Sequence, residues 1–165
     1  MYDEPQSIMP VSLIIEDRQC MVVGGGQVAL RKVESLMEAE ARVTVVAPDV
    51  CEEIKELAHE GLIYCFEREF TIADVLNKYL VFAATNVEEV NAAVQVACHD
   101  RRVLCCRVDC GWRDGDFISP ASFSYNDIIV SVSTGGSSLA EAKEIKNLVK
   151  AFLEEREALA AFEDE

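Results

Sequence analysis

The stretch that most constrains this chain is Met21-Val22-Val23-Gly24-Gly25-Gly26-Gln27-Val28-Ala29-Leu30-Arg31-Lys32. A short apolar run meets three glycines and continues into a helical pattern, which predicts a strand, a tight turn and a helix start. Gly24 permits the sharp turn, and Gly26 lets a pyrophosphate approach the backbone. Ala29 is small enough for the helix to lie close on the strand. Free backbone N–H groups and the helix dipole then face the phosphates. Alone, a Gly-x-Gly-x-x-Ala match competes with a chance glycine turn, so its context decides.

That context is a repeating alternation of strand and helix. Residues 1–12 read as an extended lead-in, with Pro5 and Pro10 opposing helix. Leu13-Ile14-Ile15 is expected as a short edge strand and Cys20–Val23 as the first buried parallel strand. A helical stripe of Val28, Ala29, Val33, Leu36 and Met37 spans Val28–Ala39, and Arg42–Ala47 is a second buried strand. Together these make a βαβ unit of about 30 residues, the setting a dinucleotide loop requires. Helix is expected over 50–60, ending at Gly61, then strand over Leu62–Phe66 and a short helix over Thr71–Leu76. Strands Tyr79–Ala84 and Val103–Val108 flank a helix over Val87–Asp100 with Val90, Ala93, Val94 and Ala97 inward. The alternation predicts an α/β fold, a Rossmann-type doubly wound parallel sheet over residues 1–113.

After Asp109 the texture changes. Strands over Phe117–Ser122 and Ile128–Ser133 are expected to form a hairpin around Tyr125-Asn126-Asp127. Ser138-x-x-Glu141 reads as a capping box opening a helix that runs to about Phe162. Its stripe is Leu139, Ala142, Ile145, Val149, Phe152 and Leu153, and Glu163-Asp164-Glu165 is an acidic tail. Residues 114–165 are thus expected as a β-hairpin and helix extension.

The 15 Lys plus Arg against 30 Asp plus Glu, a net charge of −15, argue against general affinity for nucleic acid or an anionic membrane. No basic-then-apolar leader and no apolar run of about 20 residues is present. The seven cysteines are therefore expected to be reduced, and the chain cytoplasmic. Cys105-Cys106-x-x-x-Cys110 is the one cluster to weigh as a metal site. Adjacent strand residues point to opposite faces, so buried thiols are the better reading and no metal site is expected.

Three places carry candidate chemistry. Asp49 lies just past the second strand, where an acid receives adenosine ribose hydroxyls; an N-cap role is the alternative. No arginine follows that strand to receive a 2′-phosphate, which favours NAD over NADP. Thr85 and Asn86 close the next strand, where ligands meet such sheets, and they equally suit a helix cap. Asp109 ends the fifth strand, where it either takes up a proton beside a nicotinamide or caps the turn into Gly111. Ser133 and Thr134 suit anion contacts or capping.

The residues also carry a family resemblance. Val22-Val-Gly-Gly-Gly-Gln-Val-Ala-Leu-Arg-Lys32, Arg42-Val-Thr-Val-Val-Ala-Pro48 and Ala83-Ala-Thr-Asn86 with Asn91 are its first part. Cys106-Arg-Val-Asp109, Phe117-Ile-Ser-Pro-Ala121 and Val132-Ser-Thr-Gly-Gly-Ser137 complete it. The chain resembles the precorrin-2 dehydrogenase and sirohydrochlorin ferrochelatase family, which includes the N-terminal part of siroheme synthase. The resemblance implies NAD-dependent oxidation of precorrin-2 to sirohydrochlorin, with Fe²⁺ or Co²⁺ insertion in some members. It implies a catalytic Asp109, and NAD contacts from the glycine loop (Gly24, Gly25, Gly26, Gln27, Val28) and from Pro48 and Asp49. It places Ser133 and Thr134 near the tetrapyrrole, and a homodimer contact in the region from Phe117. A polycarboxylate substrate on an acidic protein needs local cations, and Arg107, Arg113, Lys143 and Lys146 are the candidates. The extension stops short of the helical region of longer members, so it is expected as a truncated dimerisation and substrate-covering region. The competing readings are a chelatase-only protein and a non-dehydrogenase NAD- or tetrapyrrole-binding module.

Overall fold

The structure, a computed structural model, describes residues 8–109 and 111–163, with side chains through residue 156. Pro5, Cys110 and the tail residues Asp164 and Glu165, all part of the expectations above, lie outside the described residues. Residues 12–118 form one compact unit, and residues 119 onward, with 8–11, form another.

Largely apolar runs build the central strands of the first unit's sheet, and the edge strand Tyr64–Glu67 is mostly exposed. Strands β1 (Gln19–Val23), β2 (Arg42–Ala47), β3 (Tyr64–Glu67), β4 (Leu80–Ala83) and β5 (Leu104–Arg107) are all parallel, in the order β3-β2-β1-β4-β5. Such runs fit strands buried on both faces. One face carries Val22, Val43, Val45 and Phe82 under helices α1 (Gln27–Glu38) and α2 (Glu52–His59), with Ala29, Val33 and Ile54 as their inward residues. The other carries Met21, Val23, Val46 and Val81 under α3 (Glu88–Arg101), with Val94 and Ala97 inward. Cys106 joins the first cluster and Cys105 the second, the opposite-face arrangement expected of neighbours on a strand. The strand order reverses between β1 and β4, so the crevice at their C-terminal ends is where this architecture receives ligands.

Several expectations are corrected. Leu13-Ile14-Ile15 is not a strand: Arg18 N–H closes a turn onto the Ile15 carbonyl, and Ile14 is 83% exposed. Val28 and Ala93 leave their helix stripes for solvent, and Leu30 and the amide of Asn91 are buried instead. The segment over 71–76 is a 3₁₀ turn, Ile72–Val75, capped reciprocally by Thr71 and Asp74. The sheet unit runs past residue 113 because Asp116 and Phe117 are bound into it. Asp116 N–H donates to the Cys105 carbonyl (2.8 Å), and its carboxylate accepts the Cys105 N–H (2.8 Å). The Phe117 ring meets Phe82 edge-on at 5.5 Å.

In the second unit, β6 (Ala121–Tyr125) and β7 (Ile128–Val132) form an antiparallel pair joined by Asn126-Asp127, with Asn126 at φ +50°. Helix α4 (Leu139–Glu163) begins with Ser138 Oγ accepting the Glu141 N–H (3.1 Å). Ala142 is buried, whereas Leu139, Ile145 and Phe152 of the expected stripe are exposed. The Tyr125 hydroxyl ties hairpin to helix by donating to the Leu153 carbonyl (3.2 Å). Among the described residues no helix is long and apolar enough to cross a membrane.

Candidate functional site: a glycine cradle and a buried carboxylate network

The glycine loop does three different jobs. Gly24 sits at φ +131°, and its N–H donates to the Val46 carbonyl (3.0 Å). A Cβ on Gly24 would overlap the Ala84 carbonyl, so the turn is fixed by close approach to the end of β4. Gly25 accepts the Cys51 N–H on its carbonyl (2.8 Å), and a Cβ there would strike the backbone of Asp49 and Val50. Gly26 is the N-cap of α1, and nothing lies within 4 Å of where its Cβ would point. That open space at a helix start fits a phosphate-bearing ligand.

Electrostatics agrees. No side chain caps α1 and its first turn holds no acid, whereas α2 opens on Glu52 and Glu53 and α3 on Glu88 and Glu89. A helix start with no acid in its own first turn carries roughly half a positive charge. Val28 is half exposed beside it, and the Gln27 amide donates to Glu53 (3.4 Å). Pro48 and Asp49 are exposed at the end of β2. Cys51, not Asp49, occupies the N-cap of α2, which removes the capping role and leaves the Asp49 carboxylate facing solvent.

Two strands away, the ends of β4 and β5 are joined by side chains. Asn91, fully buried on α3, accepts the Thr85 N–H on Oδ1 (3.1 Å) and donates from Nδ2 to the Thr85 carbonyl (3.0 Å). The same Nδ2 donates to Asp109 Oδ2 (2.8 Å). Arg107 forks onto Asp109, from Nε to Oδ1 (3.0 Å) and from Nη2 to Oδ2 (2.9 Å). Gly111 N–H adds a bond to Oδ1 (3.0 Å). Each carboxylate oxygen thus accepts two hydrogen bonds. Burial pushes the Asp109 carboxyl up, but the Arg107 fork, Asn91 and Gly111 together hold it below the ordinary carboxylate range. Among the described residues no buried side-chain polar atom lacks a partner.

The structure therefore joins Gly24, Thr85 and Asp109 into one continuous edge, with Asn86 exposed beside Thr85. It takes Arg107 out of the set of cations awaiting a substrate carboxylate: the side chain is 5% exposed and its fork is spent on Asp109. Arg113 stacks over its neighbour Trp112 at 4.3 Å. Ser133, Thr134 and Lys143 belong to the second unit. There the Thr134 hydroxyl donates to the Ser138 carbonyl (2.9 Å), Ser133 Oγ accepts the Gly135 N–H (3.3 Å), and Lys143 is exposed. Asn91 is the residue of this network to which the sequence assigns no task. A lone amide on the inward side of an otherwise apolar helix was the available signal for Asn91.

Comparison with known proteins agrees with this geometry. A family model described as "Putative NAD(P)-binding" matches residues 11–121. A siroheme synthase of Thioalkalivibrio sulfidiphilus is 42% identical over 148 residues, covering 87% of this chain and 29% of its own. A siroheme synthase of Nitrosococcus oceani is 39% identical over 138 residues, covering 84% and 29%. This chain thus spans less than a third of the length of these relatives. The solved structure of SirC, a precorrin-2 dehydrogenase, superposes with a TM-score of 0.75 at 30% identity, covering 87% of this chain and 70% of SirC. With an open glycine cradle, a switch point beside it and these matches across most of its length, the chain belongs to the NAD(P)-binding family that contains precorrin-2 dehydrogenase and the siroheme synthases.

Proposed function

We propose that this chain binds NAD and oxidises precorrin-2 to sirohydrochlorin. The observation that carries the reading is the unbroken path along the strand ends. Gly24 lies on the Ala84–Thr85 backbone, Thr85 is bonded to Asn91, and Asn91 to Asp109. A nucleotide seated on the cradle and a charge placed for redox chemistry thereby share one rigid edge. When bound, the nicotinamide supplies the hydride acceptor. Gly24, Gly25, Gly26, Gln27 and Val28 hold the phosphates, Pro48 and Asp49 meet the adenosine ribose, and Thr85 and Asn86 line the strand end. Asp109 presents negative charge where the substrate reacts.

NAD is favoured over NADP by Asp49. An exposed carboxylate accepts ribose hydroxyls and repels a 2′-phosphate, and β2 is followed by Pro48-Asp49 with no arginine. Ser133, Thr134 and Lys143 are proposed as contacts to the tetrapyrrole. The exposed Ile128, Ile129, Leu139, Leu148 and Phe152 of the second unit support a homodimer contact there.

The test is absorbance at the NADH band after mixing the protein with precorrin-2 and NAD, and separately with NADP. A rise with NAD and little with NADP is expected. A parallel assay offers sirohydrochlorin with Fe²⁺ or Co²⁺. Silence in the first assay with metal insertion in the second replaces the dehydrogenase by a chelatase, and silence in both leaves a binding module.

A further inference from the structure

The strand-end network contains one cation that oxidation of a bound substrate does not require. Arg107 is buried on β5, and burying a guanidinium costs several kcal/mol in lost hydration unless its geometry is well matched. Here the match is bidentate, the arrangement that fixes a carboxylate in both position and plane. Its remaining Nη1 lies 3.7 Å from Asp114 Oδ2. Gly111 leaves room for the guanidinium, since a Cβ at 111 would occupy the same space. The charged groups acting on this pair are Asp114 on the turn after β5 and Glu88 at the start of α3, with the neutral amide of Asn91 between strand and helix.

A proton acceptor needs a carboxylate that gains by being protonated. Asp109 has four donors aimed at it, so protonation would leave donors facing an O–H group. We infer that Arg107 is a positioning residue that fixes Asp109 as an anionic point at the strand ends, and that Asp109 does not take up the proton released in the reaction. This rests on the dehydrogenase reading above. That oxidation transfers one hydride and releases one proton, and the proton goes to water. Asp109 acts by Coulomb attraction on positive charge developing beside it, without changing its own protonation state.

The clamp is tested on the protein without cofactor or substrate, by carboxyl carbon NMR of Asp109 across pH. The wild type is compared with Arg107→Met, Arg107→Lys and Gly111→Ala. Gly111→Ala keeps the positive charge but displaces the guanidinium tip, and it serves if Arg107→Met does not fold. Asp109 is expected to titrate about one pH unit or more higher in Arg107→Met and in Gly111→Ala, with partial return in Arg107→Lys. An unmoved titration in both Arg107→Met and Gly111→Ala overturns the clamp.

The role in catalysis is tested by kcat and KM with precorrin-2 and NAD at pH 8, above the acid limb of every variant. A base made stronger by losing its clamp would turn over faster. A fixed anion that loses its position turns over roughly tenfold slower, with KM for NAD little changed. Faster turnover in Arg107→Met or Gly111→Ala overturns the inference. If the wild type does not oxidise precorrin-2, the dehydrogenase reading fails, and the NMR titration still decides whether Arg107 clamps Asp109.

Discussion

At the β1–α1 turn the chain offers a helix start that no side chain caps, while two strands away every oxygen of Asp109 is already taken. These two stretches of one crevice have opposite needs. A phosphate cradle must keep donors and space in reserve, because the ligand completes it. A group that stabilises charge must be held before the ligand arrives, since reorganisation during the reaction would cost what it gains. The cradle is therefore built of glycine backbone, and the strand-end network of side chains that satisfy one another.

Replacing Asp109 should break the network side most severely. Asp109→Ala is expected to lower turnover by about 10²- to 10³-fold, with the affinity for NADH, measured by nucleotide fluorescence, near wild type. Turnover at the wild-type rate would remove Asp109 from the chemistry.

Asn91 comes next. Asn91→Ala deletes a fully buried amide and leaves the Thr85 N–H without its side-chain acceptor, a loss of about 2–3 kcal/mol by denaturant unfolding.

Gly24 and Gly26 sharpen the contrast within the cradle. Gly24→Ala forces a side chain into positive φ and against the Ala84 carbonyl, and should cost about 1–3 kcal/mol of stability. Gly26→Ala points its methyl into open space, so the melting temperature should hardly move while NAD binding weakens by roughly tenfold, about 1.4 kcal/mol. A Gly26→Ala protein that binds NAD as tightly as wild type would show that no phosphate sits there.

The smallest effect is in acid. The folded-state pKa of Asp109 is depressed, so its contribution to stability is complete above the ordinary aspartate range and is lost as pH falls through the folded value. Urea midpoints measured downward from pH 6 should fall less steeply for Asp109→Asn than for wild type.

The sheet unit was legible because parallel strands buried on both faces are largely apolar, and Cys20–Val23 and Tyr79–Ala84 show such runs, with Arg42–Ala47 interrupted by Arg42 and Thr44. Leu13–Ile15 has the same composition but no neighbour to pair with, and composition alone does not report pairing. The cradle was legible because glycine spacing is local. The network was not: Asn91, Arg107 and Asp109 meet only after α3 folds across β4 and β5. Charge at position 107 was visible in the sequence, but whether it faced a substrate or a neighbour was set by the fold.

Asp116 has a consequence beyond its place at the end of the sheet unit. Its amide and carboxylate engage the carbonyl and N–H of Cys105, so one residue imitates the pairing that another strand would bring to the outer edge of β5. An open parallel edge is a template on which further chains can grow. Asp116 ends that growth, and its negative charge also repels an incoming strand. Asp116→Ala is expected to leave the cradle intact and to make the protein self-associate with rising concentration, seen as increased light scattering.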